Sequence, residues 1–408
     1  MAPKPETRRL TDEQLFDWLR LIRSENVGPR TFQALLKSYG GAGAALKAVP
    51  DIARRGGLSR PIAIASREAI QREIAAARKL GARFIAFCDS DYPPLLRRID
   101  SAPPILICRG CAETLRKPTV AIVGSRNASA AGLSFADRLA RGLGAAGYAI
   151  VSGLARGIDQ RAHAASVDTG AIGVLAGGHA KPYPREALPL IERMVQRGSV
   201  VSEMPIEWEP RGRDFPRRNR IVSGLAHGTV IVEAARGSGS LITARFALEQ
   251  NRHVFAVPGS PLDPRAEGTN DLLKQGATIC TNVDDIVSAI EPTLPGDPAR
   301  EAKDGGDFLA WGADDLGGLD PGMSGDELGE TDAEDFLAGD KDGQTRERIL
   351  SLLGPSPVTL DELVRAAETS AREVRVALLE LELAGRVVYS GERVALRVPS
   401  DQELSDGS

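Results

Sequence analysis

Thr229-Val-Ile-Val-Glu-Ala-Ala-Arg-Gly-Ser-Gly-Ser-Leu-Ile-Thr-Ala-Arg245 passes from an apolar run through a turn of small residues into a helical pattern. The reading places the end of a buried strand near Val232 and the start of a helix at Ser238-Gly239-Ser240. Backbone N–H groups left free at such a helix start form an anion site. Just upstream, Arg211-Gly-Arg-Asp-Phe-Pro-Arg-Arg-Asn-Arg220 is dense in guanidinium. An anion-binding turn beside an arginine cluster points to a ligand that is a chain of phosphates.

Working outward from this stretch, apolar runs beginning near Phe84, Val120, Ala149, Ala171, Ser199, Thr229, His253 and Ala277 alternate with helical patterns. Several are apolar throughout, as strands covered on both faces must be. The alternation predicts a parallel sheet with crossover helices, a Rossmann-like α/β domain over residues 82–291. Ligands of such sheets bind at the carboxyl ends of the strands.

Residues 1–81 read as a helical domain. Leu15, Trp18, Leu19 and Ile22 recur at helical spacing, and a turn at Gly28-Pro29 opens a helix with Phe32, Leu35 and Leu36 on its apolar face. The pattern resembles a SAM/helix-hairpin-helix-like unit, whose glycine turn can bring backbone N–H groups to a DNA phosphate. An ordinary pair of packed helices reads from the same residues. Residues 344–398 have the rhythm of a winged helix: a helix through Ile349, Leu352 and Leu353, a second capped by Thr359 with Glu362, and a third capped by Ser370. A β-hairpin turning at Ser390-Gly391 follows. The third helix could enter a DNA groove, but its Arg372 and Arg375 are balanced by Glu373 and Glu380, which leaves protein contact equally open.

The formal net charge of −4 hides a split. From Glu291 to Gly343, 16 acidic residues face only Arg300, Lys303 and Lys341, so that segment carries about −13 and the remainder about +9. Rich in Gly, Asp and Glu, residues 292–343 cannot bury enough apolar surface to offset their ordering entropy, and a disordered acidic linker is expected. Residues 399–408 form a tail. The four cysteines are Cys88, Cys108, Cys111 and Cys280. Cys108-Arg-Gly-Cys111 has no second ligand pair, so reduced thiols rather than a zinc site are expected, with no metal and no cofactor. The charged N-terminus and the absence of an apolar run of about 20 residues lead to the expectation of a cytoplasmic protein away from membranes.

Four elements at the carboxyl edge carry the candidate chemistry. Val120-Ala-Ile-Val-Gly-Ser-Arg126 ends a strand at Gly124, where Ser125 and Arg126 can donate to a phosphate. It is no GxGxxG, and no acidic ribose reader follows, so a dinucleotide is not indicated. Ala149-Ile-Val-Ser-Gly-Leu-Ala-Arg-Gly-Ile-Asp159 supplies Gly153 and Arg156. There Asp159 reads as a helix cap, with an acid–base pair to His163 as the other option. Gly173-Val-Leu-Ala-Gly-Gly178 leads to Lys181, and the loop Phe215–Arg220 joins Phe215 to Arg217, Arg218, Asn219 and Arg220. Arginines and lysine suit phosphates, and an aromatic face suits an unstacked base. With Ser238, Gly239 and Ser240 these residues form one expected track for single-stranded DNA. No P-loop pattern and no carboxylate–histidine metal spacing is present in the sequence.

These motifs resemble the DNA-processing protein DprA (Smf) family. They are Ile122-Val-Gly-Ser-Arg126, Ser152-Gly-Leu-Ala-Arg-Gly-Ile-Asp159 with Ala162-His163, Tyr183-Pro184, Ser202-Glu203, Phe215-Pro-Arg-Arg-Asn-Arg-Ile221, Val232-Glu-Ala234, Ser238-Gly-Ser-Leu-Ile-Thr-Ala244, Val254-Phe-Ala-Val-Pro-Gly259 and Gly268-Thr-Asn270. The resemblance covers essentially the whole α/β domain, and the helical and winged-helix ends fit the three-part layout of many members. It implies a non-enzymatic single-stranded DNA binder that protects incoming DNA during natural transformation. It also implies assistance in loading the recombinase RecA and a homodimer formed through the Rossmann-like domain. Its DNA-contacting positions carry over to Arg126, Lys181 and the Phe215–Arg220 segment. The chain departs from the pattern at Gly178-His179-Ala180-Lys181-Pro182-Tyr183-Pro184, where many members have an acidic residue, and at Ala187, often Asn or His. The rival reading is an enzyme that cleaves the glycosidic bond of nucleoside monophosphates on a related fold, with Glu203 or Glu233 catalytic. A third reading makes the chain a duplex-DNA regulator working through the winged helix.

Overall fold

The computed structural model describes residues 9–294, 341–391 and 393–397. The expected disorder of the acidic segment, apart from its first and last few residues, and the tail lie outside the described residues. Those described fall into two compact units: residues up to 10 with 71–294, and residues 11–70 with those from 341 onward.

The helical residues 11–70 contribute α1 (Asp12–Ile22), α2 (Pro29–Tyr39) and α3 (Ala42–Arg55) to the second unit. Thr11 and Gln14 close a capping box on α1. Helix α2 begins with Gly28 as cap and Pro29 in the first turn, where the missing N–H is not needed. Its Phe32, Leu35 and Leu36 are buried, as their spacing predicts, and Phe32 meets Trp18 edge-on at 4.9 Å. Helix α4 (Arg67–Lys79) leads toward the α/β unit.

The α/β unit runs β1 (Ala82–Ala86), α5 (Pro94–Arg97), β2 (Ile105–Gly110), β3 (Thr119–Val123), α6 (Ala130–Ala145), β4 (Ala149–Ser152) and α7 (Ile158–Ser166). It continues with β5 (Ala171–Val174), α8 (Leu188–Arg197), β6 (Ser199–Ser202), α9 (Asp214–Gly224), β7 (Gly228–Ile231) and α10 (Gly239–Glu249). It closes with β8 (His253–Ala256), α11 (Glu267–Lys274), β9 (Thr278–Ile279) and α12 (Asp284–Ile290). These strands make a nine-stranded sheet in the order β1-β2-β6-β5-β4-β3-β7-β8-β9. From β6 to β9 every pair is parallel, whereas β1–β2 and β2–β6 are antiparallel. The expectation of a parallel sheet therefore holds for most of it and fails at one edge. Strand β2, Ile105-Leu-Ile-Cys-Arg-Gly110, was not anticipated. Between β1 and β2 lies only the four-residue α5, with no crossover helix long enough to bring the chain back parallel.

Alternation along the central strands feeds two cores. Ala121 and Val123 join Val151, Ile172, Val174 and Ile231 on one face, and Val120 and Ile122 join Ile150, Val230 and Phe255 on the other. Strands β3 and β7 are neighbours, yet α6 leads from β3 to β4 on one side and α10 from β7 to β8 on the other. Their carboxyl ends thus flank a topological switch point, where such sheets open a crevice.

The carboxyl-terminal residues of the second unit comprise α13 (Lys341–Leu352), β10 (Val358–Thr359), α14 (Leu360–Ala367), α15 (Ala371–Leu383), β11 (Val387–Ser390) and β12 (Arg393–Leu396), with sheet order β10-β12-β11. This is a winged helix. The capping boxes Thr359–Glu362 and Ser370–Glu373 are both formed. Ile349, Leu353, Leu363, Val374, Ala377, Leu378 and Leu381 make its core.

Candidate nucleic-acid interface

The turn after β3 presents Arg126, exposed, with its guanidinium 5.7 Å from the centre of the Phe215 ring. Phe215 meets Tyr183 edge-on at 5.4 Å, and Tyr183 is 53% exposed. Three distant segments, the β3 turn, the loop after β5 and the start of α9, therefore place a cation and two aromatic rings side by side at the carboxyl edge. A cation held over a ring keeps its charge available to phosphate, and the rings offer faces on which bases stack. Tyr183 was quoted above only as part of a motif. Its role as a surface aromatic had no local signal, because the contact with Phe215 is made across 32 residues of sequence.

The turn after β4 braces the turn after β3. The amide of Ile158 donates to the Ser125 carbonyl at 3.3 Å. Gly157 has φ +82° and a Cβ there would stand 2.3 Å from the same carbonyl oxygen, so only glycine fits. Arg156 on this turn is exposed. Gly153 is buried, and its amide donates to Asp159 Oδ2 at 3.1 Å while its carbonyl accepts from Arg218. It holds the turn together instead of offering a free amide to a phosphate. Asp159 is accordingly a tie within the turn rather than the cap, which is Gly157. Burial raises its pKa and the Arg218 guanidinium opposes the rise. His163 donates from Nε2 to the Ile172 carbonyl at 3.1 Å, and burial pushes its pKa down to about 4, so it packs as a neutral ring.

The arginine cluster was expected as a loop and is the first half of helix α9. The helical turn sorts its side chains between solvent and core. Arg217 stays outside, its side chain 45% exposed, and pairs through Nε with Glu203 at 3.1 Å. Arg220 is buried and pairs with the other oxygen of Glu203. Arg218 is buried, donating to the carbonyls of Gly153 and Val174, the latter at 2.6 Å, so that it ties β4 to β5. Burial pulls its pKa down to about 10, with Asp159 opposing the shift, and it remains a cation at neutral pH. Arg218 and Arg220 are thus placed inside the sheet edge and not on the expected phosphate track. Asn219 donates to the Gly239 carbonyl at 3.2 Å and joins α9 to the start of α10. The helix start expected at Ser238-Gly239-Ser240 is there. The Ser238 hydroxyl accepts from the Ser240 amide, Gly239 is exposed and Ser240 is buried.

Lys181 is exposed in the loop after β5. His179, at the departure from the family pattern, faces inward. Its Nε2 donates to the Ile107 carbonyl at 3.0 Å, and burial lowers its pKa to about 4. The loop that carries Lys181 and Tyr183 is thereby anchored on β2. Ala187 is buried against Ile191 and Leu175. Glu233 accepts from the Ser129 amide at 2.9 Å and from the Ser129 hydroxyl at 2.5 Å. Ser129 caps α6, so the helix start following β3, where dinucleotide folds seat a pyrophosphate, already holds a carboxylate of this chain. All four cysteines are free: Cys108 is buried with its thiol pushed up to about 11, and Cys111 is exposed beside Glu113.

Three family models match. The DNA recombination-mediator protein A model covers residues 83–291, a DprA-like N-terminal HHH domain residues 12–76, and a DprA winged helix domain residues 337–390. The DNA processing protein DprA of Bacillus subtilis is 43% identical over 220 residues, 53% of this chain and 74% of the relative. A putative DNA processing protein DprA of Mycobacterium tuberculosis is 30% identical over 96% of this chain and 97% of its own. The X-ray structure of DprA from Streptococcus pneumoniae superposes with a TM-score of 0.57 at 30% identity, over 69% of this chain and 99% of that one.

Proposed function

The chain belongs to the DNA recombination-mediator protein A family, and from that premise we propose that it binds single-stranded DNA along the carboxyl edge of its sheet. The observation that carries this is the trio of exposed Arg126, half-buried Phe215 and exposed Tyr183 at the carboxyl edge. Phosphates run past Arg126, Arg217 and Lys181, and one or two bases stack on Tyr183 and Phe215. Arg156 and the exposed start of α10 extend the track. The interior pairs of Arg218 and Arg220 hold the edge rigid, so their contribution to DNA binding is to position it.

The same premise supports protection of incoming DNA in transformation, transfer of that DNA to RecA, and action as a homodimer. The enzymatic alternative needs a free glutamate, and the geometry of both candidates supports binding over cleavage: Glu203 lies between two guanidinium groups and Glu233 is held by Ser129. The test is equilibrium binding of fluorescent single-stranded and duplex oligonucleotides to wild type and Arg126→Ala across a salt series. Single-strand preference and a loss of about tenfold in the variant support the reading, with a shallower salt slope because one phosphate contact is removed. Equal affinity of variant and wild type would overturn it.

A further inference from the structure

The third helix of the winged helix, α15, is buried on more faces than its own domain covers. Val374, Ala377, Leu378 and Leu381 fill the winged-helix core. Leu379, Glu380, Leu383 and Ala384 are buried as well. Burial of four successive residues, Leu378 to Leu381, means that the second half of the helix is covered on more than one side. Its second cover is the helical residues 11–70 of the same unit. Glu380, 2% exposed, pairs with Arg55 at 3.0 Å and with Arg346 at 3.1 Å. A Cβ on Gly56 would stand 1.9 Å from the Glu380 carbonyl oxygen, so backbone meets backbone there.

The contact extends to the two turns that could meet nucleic acid. At the hairpin turn before α2, the Asn26 amide donates to the Leu383 carbonyl at 3.0 Å. Arg30, in the first turn of α2, donates to the Gly391 carbonyl at the tip of the wing and lies over the Tyr389 ring at 5.5 Å. Two carbonyl oxygens of the winged helix thus occupy side-chain donors of Asn26 and Arg30 beside the glycine turn.

We propose that the winged helix docks in cis on the amino-terminal helices as an autoinhibitory clasp, keeping the Asn26–Arg30 turn and the wing tip from the DNA backbone. Glu380 is then a docking residue rather than a counter-charge on the DNA-facing side of α15. Arg372 and Arg375, both exposed on the first half of that helix, stay outside the clasp.

The test uses the full chain with Gly56→Val, and separately Arg55→Glu, Glu380→Arg and their double variant. Hydrogen exchange at residues 24–31 and 385–391 reads the clasp, and duplex DNA affinity reads its consequence. Gly56→Val and each single charge variant are expected to speed exchange there while the α/β domain is unchanged. The same variants should tighten duplex binding by about tenfold, the release of a mostly closed equilibrium. The double variant should recover slow exchange and weak duplex binding only in part, because the pair with Arg346 stays lost, and Arg30→Ala in the Gly56→Val background should cancel the gain. Unchanged exchange in Gly56→Val would overturn the docking. Faster exchange with no gain on duplex DNA, or a gain that survives Arg30→Ala, would overturn the masking. Arg126-dependent binding of single strands is scored in the same samples, so failure of the proposed DNA track is seen independently.

Discussion

Arg220 and Glu203 form an ion pair in which both side chains are less than a tenth exposed, at 8% and 6%. Neither charge can be left alone there, because an unpaired buried charge keeps its desolvation penalty and loses its compensation. Glu203→Gln is therefore expected to lower stability by about 3 kcal/mol, read as a shift in the urea midpoint. Single-strand affinity per folded molecule should change far less than in Arg126→Ala. A large loss of DNA binding with stability intact would reassign the pair to the DNA surface.

Aromatic and cationic contributions at the edge can be separated by salt. Tyr183→Ala and Phe215→Ala each remove a stacking face, for which losses of about 1–3 kcal/mol are usual, and no phosphate contact. Their salt slopes should match wild type, whereas the slope for Arg126→Ala should fall. Because the rings touch, the double variant should lose less than the sum of the singles. Additive losses would mean that the two rings bind separate bases.

Acid should destabilise the α/β domain through its histidines. His163, His179 and His227 are each pushed down to about 4 by burial, against 6.5 in the unfolded chain. Below pH 6.5 the unfolded state takes up protons that the folded state refuses. The stability is complete above that pH and is lost progressively as pH falls toward 4, by at most about 1.4 kcal/mol per pH unit for each histidine. Thermal midpoints measured from pH 8 to pH 4.5 should be flat and then decline. A flat profile throughout would show that these rings reach solvent in the folded protein.

Incubation with nucleoside monophosphates should release no free base, in wild type and in Glu203→Gln and Glu233→Gln alike. Base release that disappears in either variant would establish the glycosidic-cleavage alternative.

Strands β3 to β7 were readable because each is a short run buried on both faces, and such runs contrast sharply with the amphipathic helices between them. Strand β2 was not, since its antiparallel pairing with β1 and β6 comes without a crossover helix to announce it. At the site, Gly124 to Arg126 and the Ser238 turn were placed correctly by strand-to-helix grammar alone. The arginines were not. Counting cations along Arg211–Arg220 treats them as equivalent, while helix α9 turns Arg218 and Arg220 inward and leaves Arg217 out. Asp214 in its first turn, which accepts from Trp208 and from the Arg211 amide, was the available signal that a helix begins there. Tyr183 beside Phe215, and Glu233 on Ser129, depend on tertiary contacts that no local pattern encodes.

The carboxylate of Glu233 at the start of α6 has a bearing on life among small metabolites. The berth that a free nucleotide's phosphate would seek on this kind of sheet is filled by a group that cannot diffuse away. Under the proposed function, nucleotide pools and a bound strand are then not expected to compete for one seat. On the proposed track, occupancy is then expected to follow the supply of DNA and the ionic strength, and not the energy charge of the surroundings.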